Sequence, residues 1–241
     1  MEVFCKSDIG IVRTENQDSF GYNVITPDCA WALVCDGMGG ANGGSTASTM
    51  AVKVITDAIN NGYSDEMSQS KLSDFLIEAV AAANKEVFDA SCADITLTGM
   101  GTTCDLVLVK KGVIHIVHVG DSRVYAVRGD RIKQLSEDHS VVMEMVRRGD
   151  LTLEQAANHP NRNFITRALG IKPHVHIDYI EAGFEPSDVL VLCSDGLSNE
   201  LSDDEILQTI IECNKDEAAT VLVQKAIDSG GHDNITVAVM G

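Results

Sequence analysis

Four apolar stretches of this chain each meet an aspartate that lies beside or near a glycine. Three of them run into the aspartate, at Asp36, Asp121 and Asp195, and the fourth runs out of it, at Asp233. Buried strands carry apolar runs of this kind, and a charged residue at a strand end emerges where the sheet meets solvent. The pattern therefore predicts packed sheets with several carboxylates gathered at one rim.

Carboxylates gathered at one rim repel each other unless something cationic lies among them. No Lys or Arg lies within two residues of Asp36, Asp195 or Asp233, so the predicted counter-charge is a metal ion. Oxygen ligands without a Cys/His cluster favour Mg²⁺ or Mn²⁺ over zinc.

Composition limits the classes of protein that this chain can belong to. With 241 residues, 44% of them hydrophobic, one domain or two small ones would be ordinary, and we favour one domain spanning 1–241. A net charge of -18, from 36 acidic and 18 basic residues, argues against nucleic-acid or anionic-membrane partners. Seven cysteines without a CxxC pair, and no signal or spanning segment, predict a cytoplasmic protein with reduced thiols.

Hydrophobic periodicity predicts strands and helices in separate groups. We expect three strands in residues 2–36, amphipathic helices around Ala47–Ile59 and Leu72–Val87, and an antiparallel meander over 102–135. Residues 139–170 read as an excursion above the sheets. Strands near 174–181, 188–193 and 235–240, with helices after Ser202 and over 215–228, complete an α+β pattern of packed sheets with helices outside.

Taken singly, each candidate motif has an ordinary structural explanation. Arg13 five residues before Asp18 could be an anion clamp or a surface arginine. The glycine-rich segment 36–44 could admit a metal, form a plain strand-to-helix turn, or cradle phosphate, although the Lys-Ser/Thr end of a phosphate loop is missing. The segments 120–123 and 194–196 could each be simple turns.

Taken together, the order and spacing of these motifs resemble the metal-dependent protein Ser/Thr phosphatase family of type 2C (PPM), in its compact bacterial form. The resemblance extends from Arg13 to Asn234. Its motifs are Arg13-x4-Asp18, Val34 to Gly40, Gly101 to Thr103, His118 to Tyr125, Glu137 to Ser140, Ile165 to Gly170, Cys193 to Leu197 and Gly231 to Thr236.

The resemblance implies a four-layer α-β-β-α sandwich, two antiparallel sheets flanked by helix pairs, with two Mn²⁺ or Mg²⁺ ions at one edge. By position, Asp36 would bridge both ions and the Gly37 carbonyl would bind one of them. Asp195 and Asp233 would complete the first ion's protein ligands, and Asp18 would act mainly through water near the second.

Further roles follow from the same resemblance. Asp121 matches the position of a third, weaker ion, which Asp195 would share, and Arg13 matches the phosphate-binding arginine. Met38 departs from the histidine that many eukaryotic members carry as a candidate general acid. The leaving-group proton would then come from water at the metals or another group, with His159 and His232 nearest by motif.

The implied activity is hydrolysis of phosphoserine and phosphothreonine in proteins by a metal-activated water. We expect a monomeric protein phosphatase that opposes a bacterial Ser/Thr kinase, with 139–170 as a mobile flap. Two alternatives are a regulatory phosphatase of small anti-sigma antagonist proteins, disfavoured because no sensor domain is appended, and a catalytically dead binding module. The second ranks last because every expected carboxylate is present.

Overall fold

Two antiparallel sheets form the centre of the molecule in the computed structural model, which describes residues 1–39 and 43–241 in full. For residues 40–42 of the glycine-rich segment, the structure describes the backbone only. The strands are β1 Val3–Asp8, β2 Asp18–Thr26, β3 Cys29–Met38, β4 Gly101–Thr102, β5 Cys104–Lys110, β6 Val113–Val119, β7 Arg123–Arg128, β8 Arg131–Gln134, β9 Asp178–Gly183, β10 Val189–Cys193 and β11 Ile235–Met240.

The helices lie between β3 and β4, between β8 and β9, and between β10 and β11. They are α1 Gly40–Gly62, α2 Gln69–Ala93, α3 Val141–Arg148, α4 Leu153–Ala157, α5 Asp195–Ser198, α6 Asp203–Glu212 and α7 Lys215–Ser229, with a 3₁₀ turn at Ile95–Leu97. The patterns Thr152-x-x-Gln155 and Ser202-x-x-Glu205 predict capping boxes at helix N-termini, and both boxes are present, at α4 and α6.

One sheet has the order β1-β11-β10-β7-β8, and the other has the order β2-β3-β5-β6-β9 with β4 paired to β3. Alternation along β3 shows how the layers form. Ala32 and Val34 pack in the layer between the two sheets, while Trp31 and Leu33 point to the opposite face, against the helix pair α1 and α2. Strand side chains alternate between faces, so one strand can serve both layers.

Helices α6 and α7 cover the outer face of the other sheet, where Leu222 and Val223 of α7 pack against strand residues such as Val191 and Val237. The arrangement is therefore helix pair, sheet, sheet, helix pair. This confirms the predicted α+β four-layer sandwich, and it leaves the strand ends of both sheets open along one edge.

The structure also departs from the sequence-based boundaries. The sequence pattern predicts one strand over 102–110, but the strand is interrupted at Thr103. In addition, β9 begins at Asp178 instead of near 174. The second difference has a simple cause: Asp178 pairs with His118, and β6 ends one residue later at Val119. Residues before 178 have almost no partner strand left to pair with.

Residues 139–170 carry α3 and α4 between β8 and β9, outside both sheets. The base of this segment is fastened by backbone hydrogen bonds from Val141 N to Phe164 O (2.8 Å) and from Thr166 N to His139 O (2.7 Å). Across the described residues, all seven cysteines are free thiols, and no helix combines the length and apolarity needed to span a membrane.

Candidate metal centre

Asp36 and Asp18 lie side by side because they are paired residues of neighbouring antiparallel strands. Asp36 follows the apolar run of β3 and is the direct cross-strand partner of Asp18 at the start of β2. Directly opposed residues of an antiparallel pair project on the same face, with Cβ atoms about 4.5–5.5 Å apart. Both carboxylates therefore point to the end of the space between the two sheets.

The main chain at Asp36 is held by the strand break at Thr103. Asp36 N donates to Thr103 Oγ1 and Thr103 N donates to Asp36 O, each at 2.8 Å, while Thr102 Oγ1 donates to the same Asp36 oxygen at 2.9 Å. Three hydrogen bonds to the main chain of one residue fix the position of Asp36. The interruption that the sequence did not predict thus has a positioning function.

The second sheet contributes Asp195 and Asp233 to the same edge. Asp195 follows β10 and opens α5, where Asn199 Nδ2 donates to its Oδ2 at 3.0 Å. Asp233 precedes β11, the neighbour of β10. The two sheets are joined here by Ser194, whose hydroxyl donates to Asp18 Oδ2 at 2.7 Å.

Gly37 is a point of close approach that only glycine allows. A Cβ at Gly37 would lie 2.2 Å from the Gly44 carbonyl oxygen and 2.5 Å from the Gln17 carbonyl oxygen. The N-terminal end of α1 and the segment before β2 therefore both pack directly on the Gly37 backbone. Gly37 also lines the cleft described below, where its carbonyl oxygen is predicted to bind a metal ion.

The carboxylates at this edge have raised pKa values. Burial, followed by the charges of Asp18, Asp195, Asp121 and Asp233, raises the pKa of Asp36 well above its usual range. Burial, with a smaller contribution from Asp195 and Asp233, raises the pKa of Asp18 to about 7. Close like charges of this kind favour proton uptake or a bound cation.

The remaining two shifted carboxylates follow the same logic. Burial, then the Asp233 charge, raises the pKa of Asp195 to about 6, and burial, then the Asp195 charge, raises the pKa of Asp121 to about 8. Perturbed groups clustered in a cleft are typical of functional sites.

Arg13 supplies one counter-charge from the chain itself. Its Nη2 atom lies 2.6 Å from Asp233 Oδ2, and this hydrogen bond raises the pKa of the guanidinium further. Proximity in sequence did not reveal this pair, because 220 residues separate its members. Arg13 is half-exposed, so it can also face a ligand in the cleft.

The residues present fit divalent cations. Asp18 Oδ1 is buried with no hydrogen-bond partner in the protein, and the surrounding donors are carboxylate and carbonyl oxygens, which Mg²⁺ and Mn²⁺ prefer. Among residues 1–39 and 43–241, no three His, Cys, Asp or Glu side chains converge as a ready-made cage.

Two adjoining cavities open at this edge. The first, of about 550 Å³, is the carboxylate cleft; its lining includes Arg13, Asp36, Gly37, Met38, Asp121, Asp195 and Asp233. The second, of about 650 Å³, is a groove between the 139–170 segment and the start of α6. Asp121, Asn163 and Asp195 line both cavities, so the cleft continues into the groove.

Asp121 enters the site from the loop between β6 and β7. Its neighbour Gly120 has a φ of +123°, which favours glycine, and a Cβ there would lie 2.5 Å from the Thr103 side chain. Thr103 Oγ1 also bonds Ser122 Oγ at 2.7 Å. The Asp121 loop is therefore packed on the same threonine that positions Asp36.

The predicted alternatives for a general acid are not brought into the cleft. His159 Nδ1 accepts from Asn161 N at 3.1 Å within its own turn, and His232 Nδ1 bonds Glu200 Oε1 at 2.7 Å on the outer surface. Neither residue is among those that line the cleft.

Sequence reasoning missed Asn234 as an organising residue, although it adjoins Asp233 in a quoted motif. Its Nδ2 donates to the carbonyl oxygens of Ile9 and Glu15, and its Oδ1 accepts from Gln17 N at 2.9 Å. One amide thereby fixes the loop that carries Arg13. The number of partners that a side chain finds across the fold is not visible in a motif.

Comparisons with known proteins agree with this geometry. A family model described as Protein phosphatase 2C matches residues 12–225. The serine/threonine phosphatase stp of Listeria monocytogenes serotype 4b is 36% identical over 237 residues, which span 98% of this chain and 93% of that protein.

Solved structures are similar over nearly the whole chain. The serine/threonine phosphatase of S. agalactiae superposes with a TM-score of 0.91 at 35% identity, covering 99% of this chain and 98% of that chain. The catalytic domain of the serine threonine protein phosphatase PstP, solved in complex with two manganese ions, superposes with a TM-score of 0.86 at 31% identity. That match covers 99% of this chain and 96% of the PstP domain.

Proposed function

This chain belongs to the protein phosphatase 2C family, and we propose that its carboxylate cleft is the site of phosphoryl hydrolysis. It is a protein-serine/threonine phosphatase that acts on phosphorylated proteins. Its catalysis is metal-dependent and is served by Mn²⁺. The residues that perform the reaction, and the finer points of its biology, are proposals that the geometry of the cleft supports.

Asp36, the Gly37 carbonyl, Asp195 and Asp233 would hold one divalent ion, and Asp36 together with Asp18 would serve a second. The orphaned Asp18 Oδ1, buried beside three other strand-end carboxylates, is the observation that carries this assignment. When bound, divalent cations supply an activated water nucleophile and neutralise charge on the phosphoryl group.

Arg13 binds and orients the phosphoryl group. Its guanidinium lies at the cleft wall beside Asp233 and presents a planar pair of donors to phosphate oxygens. A bound cation that neutralises Asp233 would free the guanidinium from this partner. Arg13 stabilises the phosphoryl oxygens in the ground state and the transition state alike.

The leaving serine or threonine oxygen takes its proton from water in the cleft. Met38 lines the cleft at the position where a histidine would donate, and a thioether cannot supply a proton. Among the described residues that line the cleft there is no histidine. A histidine donor is thus absent from this part of the lining, and water in the cleft or another of its groups takes that role in the proposal.

Other properties complete the proposal. Mg²⁺ replaces Mn²⁺ in the same oxygen-rich site, and a third, weaker ion binds at Asp121 with help from Asp195. The protein is a cytoplasmic monomer with one catalytic domain over 1–241 and opposes a Ser/Thr kinase. Its net charge of -18 argues against nucleic acids and anionic membranes as partners.

Residues 139–170 act as a flap over the groove. Exposed apolar side chains, such as Leu153 and Phe164, lie on this segment, and it is attached to the rest of the protein mainly at its base. Loops with few deep apolar anchors open at low free-energy cost. The polypeptide that carries the phosphorylated residue lies in the groove, where the flap contacts it.

Hydrolysis assays test the proposal. We expect turnover of p-nitrophenyl phosphate with Mn²⁺ and Mg²⁺, weak or no turnover with Ca²⁺, and none with EDTA. Phosphothreonine peptides should be hydrolysed in preference to phosphotyrosine peptides of the same sequence. Turnover that persists in EDTA, or a preference for phosphotyrosine, would contradict the proposed reaction.

A further inference from the structure

His139 is a buried residue that contacts the Asp121 loop twice but has no role in the reaction described above. Its Nδ1 atom accepts a hydrogen bond from Gly120 N at 3.0 Å, and its own backbone N–H donates to Gly120 O at 2.7 Å. Both polar groups at Gly120, the residue before Asp121, are thus bound by one residue. Such a clamp leaves the Asp121 backbone little freedom.

The tautomer of His139 follows from these contacts. Nδ1 accepts from a peptide N–H, so this nitrogen must carry a lone pair and Nε2 must carry the proton. Nε2 lies 3.1 Å from Asp178 Oδ2, which accepts that proton in a hydrogen bond. Arg167 Nη1 lies 3.0 Å from the same Nε2 and donates to the other Asp178 oxygen at 2.8 Å, so it keeps the carboxylate in place.

The neighbouring ring of His118 provides a contrast. Its two nitrogens face Asp105 Oδ1 at 2.7 Å and the Glu137 carbonyl at 2.9 Å, so both act as donors. The His118 and His139 rings lie 4.5 Å apart between centroids. His118 donates through both nitrogens, whereas His139 must accept through Nδ1. The two histidines are therefore not interchangeable.

The same residue also fastens the proposed flap. The His139 carbonyl accepts from Thr166 N at 2.7 Å, and Ser140, next in sequence, bridges to Ile165, a residue that lines the cleft. The loop that carries Asp121 and both stems of the 139–170 segment therefore meet at one imidazole and its main chain.

We propose that His139 is the positioning residue for Asp121. Its Nδ1 and backbone N–H clamp the Gly120 peptide, so that the Asp121 carboxylate is held in the cleft and linked to the base of the flap. The inference rests on the proposed function, in which Asp121 holds the weaker third ion. Residues that hold a metal ligand in place without contacting the metal typically change metal affinity by about 10–100-fold when they are lost.

Two substitutions separate the two ends of the imidazole. His139→Asn places an amide oxygen near the Nδ1 position and keeps the acceptor for Gly120 N, whereas His139→Gln places its amide near Nε2 and keeps a donor for Asp178. A residue that serves only packing would lose similar stability in both variants. A positioning role through Nδ1 would separate them.

The measurement is a Mn²⁺ titration in which the electron paramagnetic resonance signal of free Mn²⁺ counts bound ions. The wild-type protein should bind two ions tightly and one weakly. We expect His139→Gln to keep the two tight ions and weaken the third by at least about tenfold, with kcat lowered in parallel. His139→Asn should stay within about threefold of wild type in both respects.

Two results would overturn the role of His139: a third-ion affinity in His139→Gln equal to wild type, or equal losses in both variants. A wild-type protein that hydrolyses phosphate esters with two bound ions and no weak third ion would also overturn the role of His139, with the proposed function intact. A wild-type protein that neither binds Mn²⁺ nor hydrolyses phosphate esters would instead refute the proposed function.

Asp178→Ala provides a test if the His139 variants do not fold. Asp178 is partly exposed, and its loss leaves the Nε2 proton of His139 without its carboxylate partner. The Nε2 end of the ring then loses the contact that orients Nδ1 toward Gly120. We expect the third ion to bind about threefold to tenfold more weakly, and an unchanged titration would overturn the proposal.

Discussion

Asp18 and Asp36 are direct cross-strand partners at the open end of the β2-β3 pair. Like charges placed directly opposite each other destabilise a sheet. This pair persists at the end of an apolar layer and is joined there by Asp195 and Asp233 from the second sheet. The protein therefore gives up stability at this edge for the sake of what the edge binds.

Removing one of these opposed charges should stabilise the metal-free protein. In EDTA at pH 8, we expect Asp18→Asn to raise Tm by about 2–4 °C, equivalent to about 1 kcal/mol, because repulsion with Asp36 is relieved. Ser194 can still donate to the amide oxygen. Differential scanning calorimetry measures the change.

Asp130→Asn is the matched control for that experiment, since Asp130 lies on the exposed turn between β7 and β8 with its side chain 95% accessible. It should shift Tm by no more than about 1 °C. A lower Tm in Asp18→Asn than in wild type would show that repulsion is not the dominant effect at this edge.

The raised pKa values predict how stability depends on pH when metal is removed. The pKa of Asp18 is about 7 and that of Asp121 about 8, against about 3.9 in an unfolded chain. Between these values the folded state binds more protons than the unfolded state, so the free energy of unfolding falls as pH rises. We expect Tm in EDTA to be several degrees lower at pH 8 than at pH 6.

Excess Mn²⁺ should abolish or reverse that trend, because the cation replaces the protons as the counter-charge. Groups outside the cleft contribute equally to Tm with and without metal. The difference between the two pH trends therefore reports on the cleft carboxylates. A Tm in EDTA that stays constant or rises from pH 6 to pH 8 would contradict the raised pKa values.

Arg13 should matter for binding phosphate. We expect Arg13→Ala to lower kcat/KM on a phosphorylated substrate by about 10–100-fold, mainly through KM, because the guanidinium binds the phosphoryl group before and during reaction. Arg13→Lys should recover little of the loss, since the planar pair of donors is absent. Steady-state kinetics of the three proteins decide the point, and unchanged constants in Arg13→Ala would place the phosphate contact elsewhere.

The structure separates the arginines of the 139–170 segment. Arg162 lines the groove and donates to Ala157 O at 3.2 Å, whereas Arg147 and Arg148 pair with Glu137 and Glu144. Sequence alone does not distinguish the three. Only side-chain placement shows which of them a phosphopeptide in the groove could reach.

Arg162→Ala should therefore change discrimination among phosphopeptides. We expect kcat/KM on phosphothreonine peptides to change about threefold or more, while p-nitrophenyl phosphate, which is too small to reach the groove, is hydrolysed as before. Arg148→Ala is the control and should affect neither substrate. Equal effects of Arg162→Ala on both substrates, or none, would exclude the groove as a determinant of specificity.

Much of the fold could be predicted from sequence because period and local capping determine it. The helix over α1, the capping boxes at Thr152 and Ser202, and the carboxylates at strand ends all followed from short-range pattern. The pairing of Arg13 with Asp233 and the contacts of His139 with Gly120 did not. These depend on which loops the sheets bring together, and a one-dimensional pattern carries no such information.

The most direct test concerns Asp36 and Asp195, whose carboxylates face each other across the two sheets. At saturating Mn²⁺, kcat for p-nitrophenyl phosphate should fall more than about a hundredfold in Asp36→Asn and in Asp195→Asn, with fewer bound ions per protein. Circular dichroism should show the wild-type fold in both, and Asp130→Asn should retain full activity. Near-wild-type turnover in either site variant would contradict the assignment of this carboxylate edge as the catalytic metal centre.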